Sequence, residues 1–515
     1  MVETALVLTN ARILTMDRAR PRARSVTLAG GRIVALDAAP PVGARVIACN
    51  GRLVLPGFID VHVHLLAAAA ARRALDCSPA RVRSIAALQQ TLAAAPATAD
   101  GWVRAVGYDE AALAEARHPT RWDLDAAVPD RPVRLTHRSG HAVVLNSLAL
   151  ARARITSASA EPPGGVIDRR IGDGEPSGLL IDMDGVLERS VPPLPFAELV
   201  AGMRALSDHL LRAGVTAVQD LTHRNDAARL CLLERVCTAA GFAPRLLPPA
   251  TAAGVGGDGP VKLMLPEAAG LDRQVRSEVI QTAVDAHTSG RQLAIHAATV
   301  PGLALALAAV AAALTHAPRA DHRHRIEHAS LCPPELAAQA AALGVVIVSN
   351  PAFLAVSGAR YRQSVPVGEL ASLYAVGMLV RAGVPVAAAS DAPVTPPAPL
   401  ASIRGAMRRM DAHGAVLPGE TLDLDTALLA VTRVPAFAAR AEERLGTIRP
   451  GMAADLVLLN GEPGDAAATV VVTVLAGQVA FAAGDAPPAH RGRMEDDGLR
   501  ASGRDDPVRP AERDR

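Results

Sequence analysis

Two histidines near residue 60 have the spacing of a shared metal site. His62 and His64 stand two positions apart in the apolar segment GFIDVHVHL, which reads as a β-strand. Because alternate side chains of a strand point to the same side, both imidazoles would face one point at the end of that strand. Two imidazoles so placed can share a divalent cation. The alternative is a pair of buried histidines without a ligand.

Four later residues occupy the equivalent place on other predicted strands. Lys262 falls on the fourth strand, His296 on the fifth and His328 on the sixth, while Asp391 ends the eighth. Each is ordinary when taken singly, since a histidine can be a core residue and an aspartate can cap a helix. Side chains at the carboxyl ends of different barrel strands nevertheless converge on one site. We therefore expect one metal centre rather than a set of unrelated residues.

The elements that would position these residues alternate between short apolar segments and helix-period patterns. This alternation predicts an α/β fold, a (β/α)8 TIM-like barrel over residues 57–440. The eight predicted strands are GFIDVHVHL, VTAVQDL, APRLLPP, PVKLML, QLAIHAA, HRIEHAS, GVVIVSN and VPVAAASDAP. The segment PFAELVAGMRALSDHLLRAG is typical of the helices between them.

Other parts of the chain lie outside this alternation. Residues 1–56 and 441–484 are rich in short strand patterns and predict one small β-sandwich built from both termini. A large insertion, 65–195, follows the first barrel strand and is expected to cover the barrel mouth. The charged segment 485–515 is expected to be disordered.

Composition excludes several classes of protein. The chain has 515 residues, half of them hydrophobic, and a formal net charge of only +2. The sequence has no stripe of basic residues, so we do not expect nucleic acid as a partner. The N-terminus lacks a secretory pattern, and the longest apolar run, 303–314, is too short to span a membrane. We expect a cytoplasmic enzyme with five reduced cysteines and a small-molecule substrate, and a homodimer remains open.

The chain resembles the amidohydrolase superfamily, in the branch that includes the N-acyl-D-amino-acid deacylases (the "amidohydrolase 3" type). The similarity covers everything but the C-terminal tail, and one departure is Ala-Ala-Thr after His296, where relatives commonly carry Gly-Asp. The motifs that carry it are PGFIDVHVH, VKLML, IHA, HRIEHAS, SDAPV and LGTIRPGMAADLVLL.

The resemblance implies a centre of one or two divalent ions. Zinc is expected, with manganese, iron or cobalt as alternatives. The implied metal ligands are His62, His64, Lys262, His296, His328 and Asp391. In binuclear members the lysine is carbamylated by CO₂ and bridges the metals. Lys262 is the only lysine of the chain, and an arginine could not replace it, because a carbamate needs a deprotonated primary amine.

The implied activity is hydrolysis of an amide-type C–N bond by a metal-activated hydroxide, with Asp391 as the catalytic residue that transfers the proton. The substrate would be an N-acyl amino acid or a related amide. A mononuclear ring deaminase is the first alternative, although a glutamate three residues after a ligand histidine is missing, since these positions hold Thr299 and Leu331. A non-catalytic scaffold is the second alternative.

Several other polar residues are weaker candidates. His137, His141 and Asn146 lie in the insertion and could contact the substrate, with structural hydrogen bonding as the alternative. Glu327 adjoins a predicted ligand, but strand alternation predicts that it points away from the site. Arg360, Tyr361 and Arg362 lie in the connection after the seventh strand. An arginine there could hold a substrate carboxylate, with surface solvation as the alternative.

Overall fold

The computed structural model describes residues 5–96, 98–162, 165–265 and 273–491. The strands are β1 (Leu6–Thr9), β2 (Arg12–Leu14), β3 (Arg22–Ala23), β4 (Val26–Ala29), β5 (Arg32–Leu36), β6 (Arg45–Ala48), β7 (Leu53–Pro56), β8 (Phe58–Val63), β9 (Leu75–Asp76), β10 (Val103–Tyr108), β11 (Val133–His137), β12 (Ala142–Leu145), β13 (Val166–Arg169), β14 (Pro176–Ile181), β15 (Val215–Asp220), β16 (Arg245–Leu247), β17 (Val261–Met264), β18 (Leu293–Ala297), β19 (Arg325–His328), β20 (Val346–Ser349), β21 (Val386–Ala388), β22 (Leu456–Asn460), β23 (Thr469–Leu475), β24 (Gln478–Ala482) and β25 (Ala489–Arg491).

The α-helices are α1 (Leu65–Ala71), α2 (Ile85–Ala93), α3 (Arg121–Ala127), α4 (Ser147–Ala153), α5 (Asp184–Ser190), α6 (Phe196–Arg212), α7 (Ala227–Ala240), α8 (Arg273–Thr288), α9 (Val300–His316), α10 (Pro334–Leu343), α11 (Ala352–Ser364), α12 (Val376–Arg381), α13 (Pro399–Arg408), α14 (Leu424–Leu429) and α15 (Arg433–Ala438). Two short 3₁₀ helices span Glu110–Ala112 and Val367–Ser372.

All eight predicted barrel strands are present, and all pair in parallel. They form a three-stranded sheet in the order β16-β15-β8 and a five-stranded sheet in the order β17-β18-β19-β20-β21. At each of the two seams a single parallel bridge joins the sheets, Thr251 with Val261 and Val63 with Ala392. The fold is therefore mixed α/β, as predicted. The backbone hydrogen bonding between strands is continuous within each sheet but not from one sheet to the other.

The helices between these strands cover the sheets with apolar faces. Helix α6, over the segment predicted to be helical, buries Leu199, Met203, Leu206 and Leu210, which is the spacing of one helical stripe. These side chains pack in the same cluster as the outer faces of the parallel strands. Within the described residues, no helix is both long and apolar enough to cross a membrane.

Strands from both chain termini form two further sheets, as the sequence predicts. One has the order β25-β6-β1-β4-β5, and the other has the order β24-β23-β22-β7-β2-β3. Apolar residues of the two sheets, such as Leu8, Ile13 and Leu458, pack into one common core. Strand β25 lies in the segment 485–515 that is expected to be disordered, and residues 492–515 of that segment lie outside the described residues.

The insertion after β8 has its own sheet, in the order β13-β14-β12-β11-β10-β9, and its own apolar cores. Helix α1, which falls in the predicted range 65–195, instead shares a core with α6 through Leu65 and Ala69. The insertion also contacts α11, because Arg138 donates a hydrogen bond from its guanidinium to Oγ of Ser357 at 2.6 Å. Helix α11 begins just after the carboxyl end of β20, so this contact lies on the same side as the predicted site.

Candidate metal centre

The four imidazoles predicted to bind metal lie next to one another in the structure. The ring centroid of His62 is 5.4 Å from that of His64 and 4.9 Å from that of His328. His296 continues the row, with its ring centroid 4.6 Å from that of His328. These residues lie at or just after the carboxyl ends of β8, β18 and β19, where barrel folds hold their active sites.

Asp391 joins this row of imidazoles from the loop after β21. Its Oδ1 lies 3.1 Å from Nε2 of His64 and 3.4 Å from Nε2 of His62. Burial alone would raise the pKa of Asp391, but the imidazoles of His62, His64 and His328 hold that pKa below its ordinary range. The carboxylate is therefore ionised at neutral pH. His62, His64 and Asp391 together form a group whose ligand atoms lie within 4.8 Å of one another.

Lys262 lies on β17, and its side chain is buried. Burial lowers the pKa of Lys262 to about 8, against the opposing effect of the charges on Glu327 and Asp391. Its Nζ atom has no hydrogen-bond partner among the described residues. A buried ammonium without a partner is unfavourable, so this position suits an amine that is modified or held by a ligand.

Glu327 does not point away from the site, and the prediction from strand alternation is wrong here. Its Oε2 lies 2.5 Å from Nδ1 of His62, and its carboxylate accepts two hydrogen bonds from Arg325, at 2.5 and 3.0 Å. The reason lies in the backbone, because His328 has φ +70°. Arg325 and Glu327 keep the regular inward alternation, and the left-handed turn brings His328 to the same side one residue later.

Three of the imidazoles are oriented by hydrogen bonds to their Nδ1 atoms. Glu327 accepts one from His62, and Oδ1 of Asn350 accepts one from His328 at 2.8 Å. Oγ1 of Thr222 lies 3.1 Å from Nδ1 of His64. A histidine that donates its Nδ1 proton presents the Nε2 lone pair, which is the arrangement that metal-binding histidines use. The three residues therefore direct Nε2 toward the common point.

One residue close to this site was missed by the sequence analysis. His223 follows β15, and burial together with Arg224, Lys262 and His64 lowers its pKa to about 3. Its Nε2 accepts a hydrogen bond from Nε of Arg224 at 3.0 Å. The sequence does place His223 just after the second predicted strand. It has no second histidine at strand spacing, however, so it could not be distinguished from a surface residue.

The three predicted substrate residues of the insertion have different surroundings. Asn146 is a structural residue: its Oδ1 accepts the amide protons of Val133 and Ala149, and its Nδ2 donates to the carbonyls of Val128 and Arg131. Every hydrogen-bonding site of this amide is occupied within the insertion, which favours the structural alternative, and the substrate contact stays a prediction. His141 is half-exposed, with Nδ1 2.7 Å from Oδ1 of Asp182.

His137 belongs to a second group of metal-compatible residues, together with Asp109 and Glu110. Its Nε2 lies 2.7 Å from Oε2 of Glu110, and burial lowers the pKa of His137 to about 4. Arg360 of α11 lies 3.3 Å from the Glu110 carboxylate, and Nε of Arg138 lies 3.6 Å from that of Asp109. Two cations thus balance the two carboxylates, so we interpret this group as an ion-pair cluster between the insertion and α11.

The chain is similar to known proteins over most of its length. Residues 45–481 match the amidohydrolase family. The chain is 29% identical to the N-substituted formamide deformylase of Arthrobacter pascens, over 90% of this chain and 94% of that protein. It is 27% identical to the protein LONG AFTER FAR-RED 3 of Arabidopsis thaliana, over 83% of this chain and 82% of the other. A crystal structure of an uncharacterized metal-dependent hydrolase from Pyrococcus horikoshii superposes with a TM-score of 0.68 at 20% identity, over 93% of this chain and all of that one.

Proposed function

Since this chain belongs to the amidohydrolase family, we propose that it hydrolyses an amide C–N bond with one or two divalent metal ions. We also propose that β8 and β15–β21 form the closed (β/α)8 barrel of that family. The observation that carries the proposal is the convergence of four imidazoles and Asp391 beside the buried Lys262, whose Nζ has no hydrogen-bond partner among the described residues. Mixed nitrogen and oxygen donors in a tight group suit zinc.

The residues present fit such a cation. The Nε2 atoms of His62 and His64 lie close to Oδ1 of Asp391, and hydrogen bonds to Nδ1 leave those Nε2 lone pairs available. We expect His62, His64 and Asp391 to hold one ion, and His296 and His328 to hold a second. When bound, a divalent cation polarises an amide carbonyl and lowers the pKa of a water molecule beside it.

Lys262 would link the two ion positions as a carbamate. Its neutral amine attacks CO₂ and releases a proton, and the resulting carbamate offers two oxygen atoms in place of one nitrogen. A pKa near 8 leaves an appreciable neutral fraction at physiological pH, which this reaction requires. The absence of a partner for Nζ among the described residues is consistent with such a modification.

Asp391 would transfer the proton of the attacking water. The group is ionised, buried and adjacent to two imidazoles, so it can accept a proton from water and deliver it to the leaving nitrogen. Water adds to the amide carbon, the C–N bond breaks, and the products are a carboxylic acid and an amine. Amide hydrolysis needs the second proton transfer because an amine anion leaves poorly.

The test is release of amine by the purified enzyme from a panel of N-acyl amino acids and N-substituted formamides. N-Substituted formamides are included because the relative from Arthrobacter pascens is named an N-substituted formamide deformylase. We expect turnover of at least one class, loss of turnover after metal removal by a chelator, and recovery when zinc is added back. Release of ammonia from amino-substituted rings, without amide cleavage, would contradict the proposal and favour a deaminase.

A further inference from the structure

One side of the metal centre is apolar. Leu331 and Val394 lie three residues after His328 and Asp391, in the loops that follow β19 and β21, and Phe353 lies three residues after Asn350, in the first turn of α11. The three side chains belong to one apolar cluster. Because Leu331 and Val394 are only partly buried, they keep apolar surface available next to the site.

Two tyrosines belong to the same apolar cluster. The hydroxyl of Tyr361 lies 3.2 Å from that of Tyr374, and both rings pack in the same cluster. Burial raises the pKa of Tyr374 well above its ordinary value, and the charge on Asp391 adds to this effect. Val394 of this cluster donates a backbone hydrogen bond to the carbonyl of Asp391 at 2.9 Å, so the cluster adjoins Asp391, and Tyr361 is partly exposed.

The opposite side of the centre is polar. The loop after β15 carries Thr222 against His64, followed by His223 and Arg224. Arg224 in turn pairs with Glu188 at 3.0 Å. A substrate that binds between these two sides would place its apolar part against the loops of β19, β20 and β21.

The arginines around the site are occupied. Among the described residues, every arginine of α11 and of the loops that follow β11 and β15 has a carboxylate partner. The pairs are Arg138 with Asp109, Arg224 with Glu188, Arg360 with Glu110, and Arg362 with Asp411. Residues 266–272, which follow β17 and lie outside the described residues, contain no lysine or arginine. A carboxylate on the substrate would have to displace one of these partners or remain unpaired, which is costly in a partly buried site.

From this charge pattern and the apolar wall, we infer that the substrate is an uncharged amide whose nitrogen carries an apolar substituent. Leu331, Tyr361 and Val394 form the subsite for that substituent. This inference rests on the proposed amide hydrolysis and narrows it, because an N-acyl amino acid would bring a carboxylate to a site whose neighbouring described arginines already have carboxylate partners.

The first test compares two amides that differ only by a carboxylate. N-Formylnorleucine and N-pentylformamide share the formyl group and the alkyl chain. We expect kcat/KM to be about 100-fold higher for N-pentylformamide, since a buried unpaired charge is strongly unfavourable. Equal values, or a preference for N-formylnorleucine, would overturn the inference but leave amide hydrolysis intact.

Binding gives a second readout that does not depend on turnover. Calorimetric titration of both compounds into Asp391→Asn protein reports affinity even if neither amide is cleaved. Tighter binding of N-pentylformamide supports the subsite, whereas equal binding, tighter binding of N-formylnorleucine, or no binding of either compound overturns it. Lack of cleavage of any amide by the metal-loaded wild type would contradict the proposed function instead.

Substitutions locate the subsite. Leu331→Ser and Val394→Ser should each lower the preference for N-pentylformamide over N-methylformamide by about 10-fold, as expected for loss of one apolar contact surface. Val367→Ser is the matched control, because Val367 is 82% exposed. An unchanged preference in both subsite variants would exclude this location.

Discussion

The carboxylate of Glu327 lies 2.5 Å from Nδ1 of His62, and neither side chain is accessible to solvent. Arg325 holds the same carboxylate with two hydrogen bonds and donates to the backbone carbonyl of Val61. The base of the candidate metal centre is therefore a buried, charge-balanced network. It positions His62 through its Nδ1 proton rather than through direct contact with substrate.

Glu327→Gln should weaken metal binding by about 10- to 100-fold, the usual effect of removing a carboxylate that orients a metal-binding histidine. The glutamine keeps the volume but accepts the Nδ1 proton less strongly, so His62 loses its fixed orientation. Competition with a chelator measures the affinity. Glu335→Gln, at an exposed position of α10, is the control, and equal metal affinity in the two variants would refute a positioning role for Glu327.

Asp391→Asn should reduce kcat for amide hydrolysis by about 100- to 10,000-fold, the range expected when a general acid–base group is lost. The asparagine keeps the shape but cannot accept the proton of water. Steady-state kinetics with matched metal loading measure this change, with Asp130→Asn as control because Asp130 is exposed at the edge of the insertion. A variant with nearly wild-type kcat would require a different proton acceptor.

Asn146→Ala should destabilise the protein by about 2 to 3 kcal/mol, because it removes a helix cap and leaves a buried backbone N–H unpaired. Urea unfolding measures the loss. KM for the preferred amide should not change if the residue is structural. A raised KM with unchanged stability would instead restore the substrate role that the sequence suggests.

Three buried histidines, His287, His322 and His324, are linked by hydrogen bonds. Nδ1 of His324 accepts the amide proton of Leu293 at 3.0 Å, and its Nε2 lies 2.8 Å from Nδ1 of His287. Nε2 of His287 in turn lies 2.6 Å from the carbonyl of Ala317. His322 accepts the amide proton of His324 at its own Nδ1. His322 and His324 each accept a backbone amide proton at Nδ1, so an added proton has no place on those two rings.

The buried histidines His322 and His324 predict that the protein loses stability in acid. Burial lowers the pKa of His324 to about 2 and also lowers that of His322, with Arg319 acting in the same direction. As the pH falls below about 6.5, the unfolded chain takes up protons that the folded chain cannot bind. The contribution of His322 and His324 to the free energy of unfolding is therefore complete above about pH 6.5 and is lost as the pH falls below it.

His324→Asn should therefore reduce the pH dependence of the urea midpoint between pH 7.5 and 5.5, although it lowers stability at pH 7.5. His316→Asn, at an exposed position near the end of α9, provides the control. If the wild type and His324→Asn lose stability equally as the pH falls, these buried histidines do not account for the acid sensitivity.

The sequence predicted the strands and the convergent residues because their positions follow from two regular features. Strand alternation and the common carboxyl end of parallel strands place His62, His64, Lys262 and His296 without knowledge of any loop. Features that depend on irregular backbone were not predictable. The left-handed conformation of His328 brings that residue to the same side as Glu327, and the residue type histidine does not predict such a conformation.

The insertion was predicted as a separate substructure, but the roles of its residues were not. Asn146 occurs at a helix start, where capping is an ordinary function of asparagine, and sequence alone does not distinguish a cap from a ligand contact. The pairing of Arg360 with Glu110 depends on the packing of two segments about 250 positions apart. Such contacts between distant segments decide the charge of the site and are not encoded in local pattern.

Metal content of the purified enzyme, measured by elemental analysis in wild type, Lys262→Ala and Lys262→Arg, tests the proposed centre most directly. We predict about two divalent ions per chain in the wild type, with the intact mass of a carbamate on Lys262 under gentle conditions. Both variants should hold one ion or none, because neither alanine nor a guanidinium forms a carbamate. One ion per chain in all three proteins would contradict the bridging role of Lys262 and the binuclear centre built on it.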